Sequence, residues 1–345
     1  MRAMESKEKL MQTFYNFKSD DVKKVDVLIR RIKRHLEKEP DVELSFILHI
    51  LASQQADNNC QSFEKCCEIA YPIFKHLDSV NKWGYLELYV LSMAIAYHTD
   101  YNKTLDIFRK ALDLLDEKCA EDKEYNYILI NMHCTILLRM IRANYLDPAV
   151  DKATLNADFE RSYNYVMEVC ERRNLLQKYS MLVRRGILEH DLDMINNAIA
   201  ELRKSRNIKR YKDARDEVAE YIFYMDVEFD KEWYDFSIGY LITKRRSELG
   251  CAVEDFADMM NIDINTVYAI ERGDGGISTM RLRQIAKLLE VHPGYFFGAA
   301  PLIEKTPDIH SLQFARIING ATDEEKASVL QAAKFAMKLM RKYKE

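Results

Sequence analysis

The sequence predicts an all-α protein, on three observations. Only Gly84, Gly186, Pro40, Pro72 and Pro148 break the first 235 residues, although the chain holds ten glycines. Apolar residues in that stretch recur at helical spacing, three and four apart. No alternating run flanked by a tight hairpin turn occurs anywhere. The spacing predicts helices over 19–38, 41–56, 60–77, 82–99, 101–117, 122–144, 154–174, 177–190, 191–205 and 208–229. From 41 to 205 they come in pairs about 40 residues apart, the period of a helical solenoid.

Composition excludes several classes. With 345 residues and 48% hydrophobic content the chain has ample core. No apolar run approaches the ~20 residues of a membrane span. The charged N-terminus, "MRAMESKEKLMQTFYNFKSDD", lacks a signal-peptide core, so a cytoplasmic protein is expected. Seven cysteines without CxxC spacing point to reduced thiols rather than zinc or disulfides. Neither a metal ligand set, a nucleophile elbow nor a phosphate loop is present, so no enzyme and no cofactor is expected. Net charge is −4. Residues 236–300 carry 7 Lys+Arg against 8 Asp+Glu, hence −1, and no segment is strongly basic.

Within the first 235 residues, "LYVLSMAIAYHTDYNKTLDIFRKALDLLD" (Leu88–Asp116) is the clearest unit. Leu91, Ser92, Ile95, Tyr101, Thr104, Phe108 and Ala111 place small residues where two helices cross and large ones beside them. In this the unit resembles a tetratricopeptide repeat. Stacked helix pairs imply an inner surface suited to a peptide or protein.

From Phe236 to Phe297 the pattern shortens to five helices. Helix one covers Ile238–Glu248 and ends at Gly250. Helix two covers Val253–Met260, with Phe256, Ala257 and Met260 on one face. After Asn261–Asp263, helix three covers Ile264–Glu271, with Asp263 as N-cap and Gly273 as the left-handed C-cap. Helix four follows Ser278, and helix five starts near Pro293. Ala257, Val267, Ile270, Glu271, Gly273, Ile285, Ala286 and "VHPGYFF" all stand in the register of the lambda-repressor/Cro-like (XRE) helix-turn-helix family, which this stretch resembles.

The resemblance assigns roles. Ile264, Asn265, Thr266, Tyr268 and Ala269 form the outward face of helix three, against base edges and nearby phosphates. Asn can bond adenine bidentately, and the Ile, Ala and Thr methyl groups can meet thymine methyls. This face holds no Lys, Arg or Gln, so the expected half-site is rich in A·T pairs. Phosphate contacts fall to Lys244, Arg245, Arg272, Ser278, Thr279, Arg281 and the amides opening helices two and four. The family often opens helix two with Gln, where Val253 stands here. Arg246 and Glu271 are expected to form a structural ion pair.

Three parts result: 1–235, a repeat array that senses or docks; 236–300, the helix-turn-helix domain; and 301–345, a helical tail. In the tail Thr322 and Glu325 make a capping box. Leu330, Ala333, Phe335, Ala336, Met337 and Met340 make an apolar stripe that either packs back or pairs two copies. The combination resembles Gram-positive peptide-pheromone receptors, with the domain order inverted. The resemblance implies a dimeric transcriptional regulator on a palindromic double-stranded operator, controlled by a short peptide or a protein. Asn131, Arg139 and Asn164 are the candidate peptide contacts. The alternative is an adaptor or anti-repressor whose last domain docks another protein.

Overall fold

The computed structural model describes residues 6–16, 22–59 and 61–298. The expected tail helix lies outside the described residues, as does Cys60. Fifteen α-helices follow one another with no strand among the described residues, so the fold is all-α. They are α1 (Lys7–Tyr15), α2 (Val22–Leu36), α3 (Val42–Asn58), α4 (Phe63–Ser79), α5 (Tyr85–Ala94), α6 (Tyr101–Glu121), α7 (Tyr125–Leu146), α8 (Lys152–Arg173), α9 (Gln177–Glu189), α10 (Leu192–Lys204), α11 (Ile208–Tyr221), α12 (Lys231–Glu248), α13 (Val253–Met260), α14 (Ile264–Arg272) and α15 (Thr279–Leu288). Short 3-10 turns extend α5 (Ile95–Tyr97) and α11 (Ile222–Tyr224) and close the last domain (Pro293–Phe297).

Side-chain caps start most of these helices. Asp41, Ser62, Asp100, Asp191 and Asp230 each accept an amide of the first turn, which otherwise has no partner. Several boundaries differ from the sequence expectation. Helix α1, unexpected, buries Leu10 and Phe14, packs Met11 and Tyr15 on the same core and pairs Lys7 with Asp41 and Glu43. The segment 82–99 tightens to 3-10 geometry after Ala94, because His98 turns extended to let Asp100 cap α6. The segment 208–229 leaves α-helical geometry after Tyr221. Helix one of the last domain begins at Lys231 rather than Ile238, since Asp230 caps it at Trp233. The expected boundary at 235/236 therefore falls inside α12.

The pairs α3/α4, α7/α8 and α9/α10 pack as neighbours across short turns. Helix α7 is central: α5, α6, α8 and α9 all lean on it. In the stretch Leu88–Asp116, Leu91, Ser92, Ile95, Tyr101, Thr104, Phe108 and Ala111 are all buried. One large apolar core runs from Leu10 to Trp233. A second, smaller core begins at Leu241 and ends at Phe296. Helix α12 supplies residues to both, and Phe223 packs against both. The connection between α3 and α4 also returns to α12, where Gln61 Nε2 donates to the Ser247 carbonyl at 2.7 Å. No helix among the described residues is long and apolar enough to cross a membrane. The six described cysteines are free thiols.

Two of the expected peptide contacts are spent inside the array. Asn131 Nδ2 donates to the Ser92 carbonyl at 3.2 Å and to its hydroxyl at 3.0 Å. Arg139 is buried and donates to the carbonyls of His98 and Thr99, at 3.1 and 3.0 Å. Both tie α7 to the end of α5 and the turn that follows it. These bonds engage both side chains within the array, Arg139 buried and Asn131 half-buried. Asn164, on α8, is exposed.

Candidate nucleic-acid interface

The second core is built where α13 and α14 meet α12. Phe256 and Ala257 of α13 and Val267 and Ile270 of α14 are buried together with Leu241, Ile242, Leu282, Ile285 and Phe296. Asn261, in the left-handed region at φ 51°, ends α13 and turns the chain. Asp263 then starts α14 by accepting the Asn265 amide at 2.8 Å.

Two glycines make the α12–α14 packing possible. A Cβ on Gly239 would stand 2.5 Å from the Ile270 carbonyl oxygen, so only glycine lets α14 lie this close. Gly273 ends α14 at φ +73°, and a Cβ there would meet the Phe236 backbone at 2.6 Å. Beside this crossing, Arg246 grips Glu271 through Nε at 2.6 Å and Nη2 at 3.2 Å. Its Nη1 donates to the Cys251 carbonyl at 2.7 Å. The fork thus joins the end of α14 to α12 and to the turn before α13.

With Val267 and Ile270 turned inward, the opposite side of α14 faces out. Asn265 is exposed and Tyr268 is 40% exposed. Thr266 and Ala269 are half-exposed, and Ile264 leans on the core. Arg272 is exposed, with its Nε 2.6 Å from Asp274. At the start of α15, Ser278 Oγ accepts the Arg281 amide at 3.2 Å; Thr279 is exposed and Arg281 half-buried. Residues 241–296 match the helix-turn-helix family model. This segment is a helix-turn-helix domain of the XRE type. No curated protein and no solved structure matches the chain. The family is one of DNA-binding regulators, generally without enzymatic activity. Among the described residues no group of three or more His, Cys, Asp or Glu side chains suits a metal ion.

Two expected phosphate contacts of the helix-turn-helix domain point elsewhere. Arg245 is 7% exposed, with Nε on the Leu289 carbonyl at 3.1 Å and Nη1 on Glu248 at 3.1 Å. Lys244 turns toward the array and meets Glu220 at 2.8 Å. Burial pushes the Glu220 carboxyl up, but Lys244 and Arg142 outweigh it and hold it below its ordinary range. Burial likewise depresses Lys244, and Glu220 more than restores it. Both groups are therefore charged and paired with each other. Helical spacing showed them at the end of helix one; it could not show what α11 and α15 set against them.

The opening turn of α13 also departs from expectation. Glu254 and Asp255 stand exposed in its first turn. They complement the helix dipole and so oppose a phosphate at the same amides. The first turn of α15 carries no acid. Arg283 and Lys287 are exposed further along α15. Their spacing of four, on the side away from Leu282 and Ala286, was the available signal for them.

Proposed function

We propose that the protein is a sequence-specific transcriptional regulator of the cytoplasm, which binds a palindromic operator as a homodimer. The observation that carries this reading is the outer face of α14. A closed core holds the helix, and Asn265, Thr266, Tyr268 and Ala269 stand clear of it. Asn265 reads adenine through its amide; the Thr266 and Ala269 methyl groups meet thymine methyls; Tyr268 reaches a base edge or phosphate. The start of α15, with Ser278, Thr279 and Arg281, is the better of the two helix openings for a phosphate. Arg272, Arg283 and Lys287 add charge around it. With so few cations, one copy binds weakly, and two copies on two half-sites supply the affinity.

In this reading the helical array, tetratricopeptide-like in the unit Leu88–Asp116, is the controlling part. It takes a short peptide or a protein, with Asn164 the exposed candidate contact. A second reading has the last domain docking another protein. Exposed acids at Glu254 and Asp255, together with exposed Tyr268 and Met280, favour it. Salt separates the two, because phosphate contacts release counterions. Titration of the full chain with an operator-length duplex should show affinity falling steeply between about 50 and 200 mM salt. Flat, weak binding across that range would point to the docking role.

A further inference from the structure

We infer that Glu220 is a pin that locks the helix-turn-helix domain to the array, across a joint built into α12. The two cores share α12, and the joint lies between them. Trp233 belongs to the array core and Leu241 to the helix-turn-helix core. Between and beside them stand Ser237, Gly239 and Thr243. Ser237 Oγ donates back to the Trp233 carbonyl at 2.8 Å, and Thr243 Oγ1 to the Gly239 carbonyl at 3.0 Å. Hydroxyls bonded four residues back bend helices, and an interior glycine is the least restrained helical residue. Kinks form at such Gly and Ser positions. The segment linking the cores thus has the softest backbone of α12, with the end of α14 packed on it at Phe236 and Gly239.

Immediately beyond the joint, α12 is tied to the array at two places. Lys244 Nζ lies 2.8 Å and Arg142 Nη1 3.3 Å from the same oxygen, Oε1 of Glu220. The three side chains are only 19%, 21% and 24% exposed, for Lys244, Arg142 and Glu220. Arg142, on α7, also covers the Phe63 ring at 4.0 Å, so the cluster reaches α4 as well. One turn further on, Gln61 holds the Ser247 carbonyl. Without the Glu220 carboxylate, two shielded cations would face each other across the interface and push it open. Glu220 and Arg142 are therefore positioning residues for the DNA-reading helix. Any displacement of α7 against α11, the central and last helices of the array, reaches α12 through them. The outer face of α14 stays open throughout; the pin sets its orientation rather than covering it.

The lock itself does not depend on DNA binding; its regulatory consequence rests on the reading above. The test compares full-length wild type, Glu220→Gln, Lys244→Met and Glu217→Gln by hydrogen exchange over residues 236–248. Glu217 pairs with Arg184 one turn earlier on α11, at 2.8 Å, away from the joint. The pin predicts exchange at the joint rising about tenfold or more in Glu220→Gln and Lys244→Met, with no comparable rise in Glu217→Gln. Unchanged exchange in the first two overturns it. An equal rise in Glu217→Gln overturns it too, because α11 would then be loosening as a whole. Titration with operator DNA runs in parallel. A joint that responds in a protein that binds no DNA would leave the pin and remove the operator; intact DNA binding with an unresponsive joint would do the reverse.

Discussion

Replacing Glu271 with Ala should cost the helix-turn-helix domain most of its stability while leaving its sequence preference intact. The two side chains of the Arg246–Glu271 fork are each 10% exposed. Removing the carboxylate leaves a guanidinium with its Cys251 carbonyl bond and no counter-charge. Breaking a buried pair from one side costs about 3–5 kcal/mol. A folded unit of this size is worth roughly 3–9 kcal/mol in total. The loss is therefore of the same order as the whole, and α13–α15 should open ahead of the array. Glu271→Gln keeps one acceptor and should lose about 1–3 kcal/mol. Hydrogen exchange across α13–α15, with guanidinium unfolding of the full chain, reads both variants. The fraction still folded should select the same DNA as wild type. Glu271→Ala within about 0.5 kcal/mol of wild type would refute the reasoning, since surface substitutions do no more than that.

Four further outcomes follow. Burial holds His133 neutral, with its pKa pushed down from 6.5 to about 4, against the rings of Phe108 and Tyr165. The unfolded chain protonates first, so stability is full above 6.5 and falls as pH drops toward 4. The loss is roughly 3 kcal/mol at its limit, and His133→Phe should remove that limb from unfolding curves taken against pH. Gly239→Ala gains about 1 kcal/mol of helix preference. It nonetheless sets a methyl against the backbone of α14, and the melting temperature of the last domain should drop. Arg281→Ala should reduce the slope of log K against log salt by about 0.9. Arg245→Ala should destabilise the domain and leave that slope alone, its guanidinium being spent on Leu289 and Glu248.

Helix limits were legible where a capping side chain met an apolar stripe. Helix α13 occupies its expected residues, and α14 runs one residue longer than expected. Asp263, Gly273 and Ser278 act as the caps that their residue types announce. Helix α1 was hidden because it is short: Leu10, Met11, Phe14 and Tyr15 span barely more than one turn of the helical pattern. The start of α12 was hidden because the family's register begins inside it. Side-chain fate was harder to read. Lys244, Arg245, Asn131 and Arg139 look like free polar groups along a helix. Each is consumed by an element distant in sequence: Glu220, Leu289, Ser92 and the 98–99 turn. Spacing places a residue on a face of its own helix; the partner across the interface is set by tertiary packing.

The most direct test of the account is selection from a random DNA library by the full-length protein, beside an Asn265→Ala/Tyr268→Ala double variant. The account predicts an enriched palindrome with A·T pairs near each half-site centre, lost in the variant although its folded content is unchanged. A folded protein that enriches nothing at low salt, or a variant that enriches the same palindrome, would contradict it.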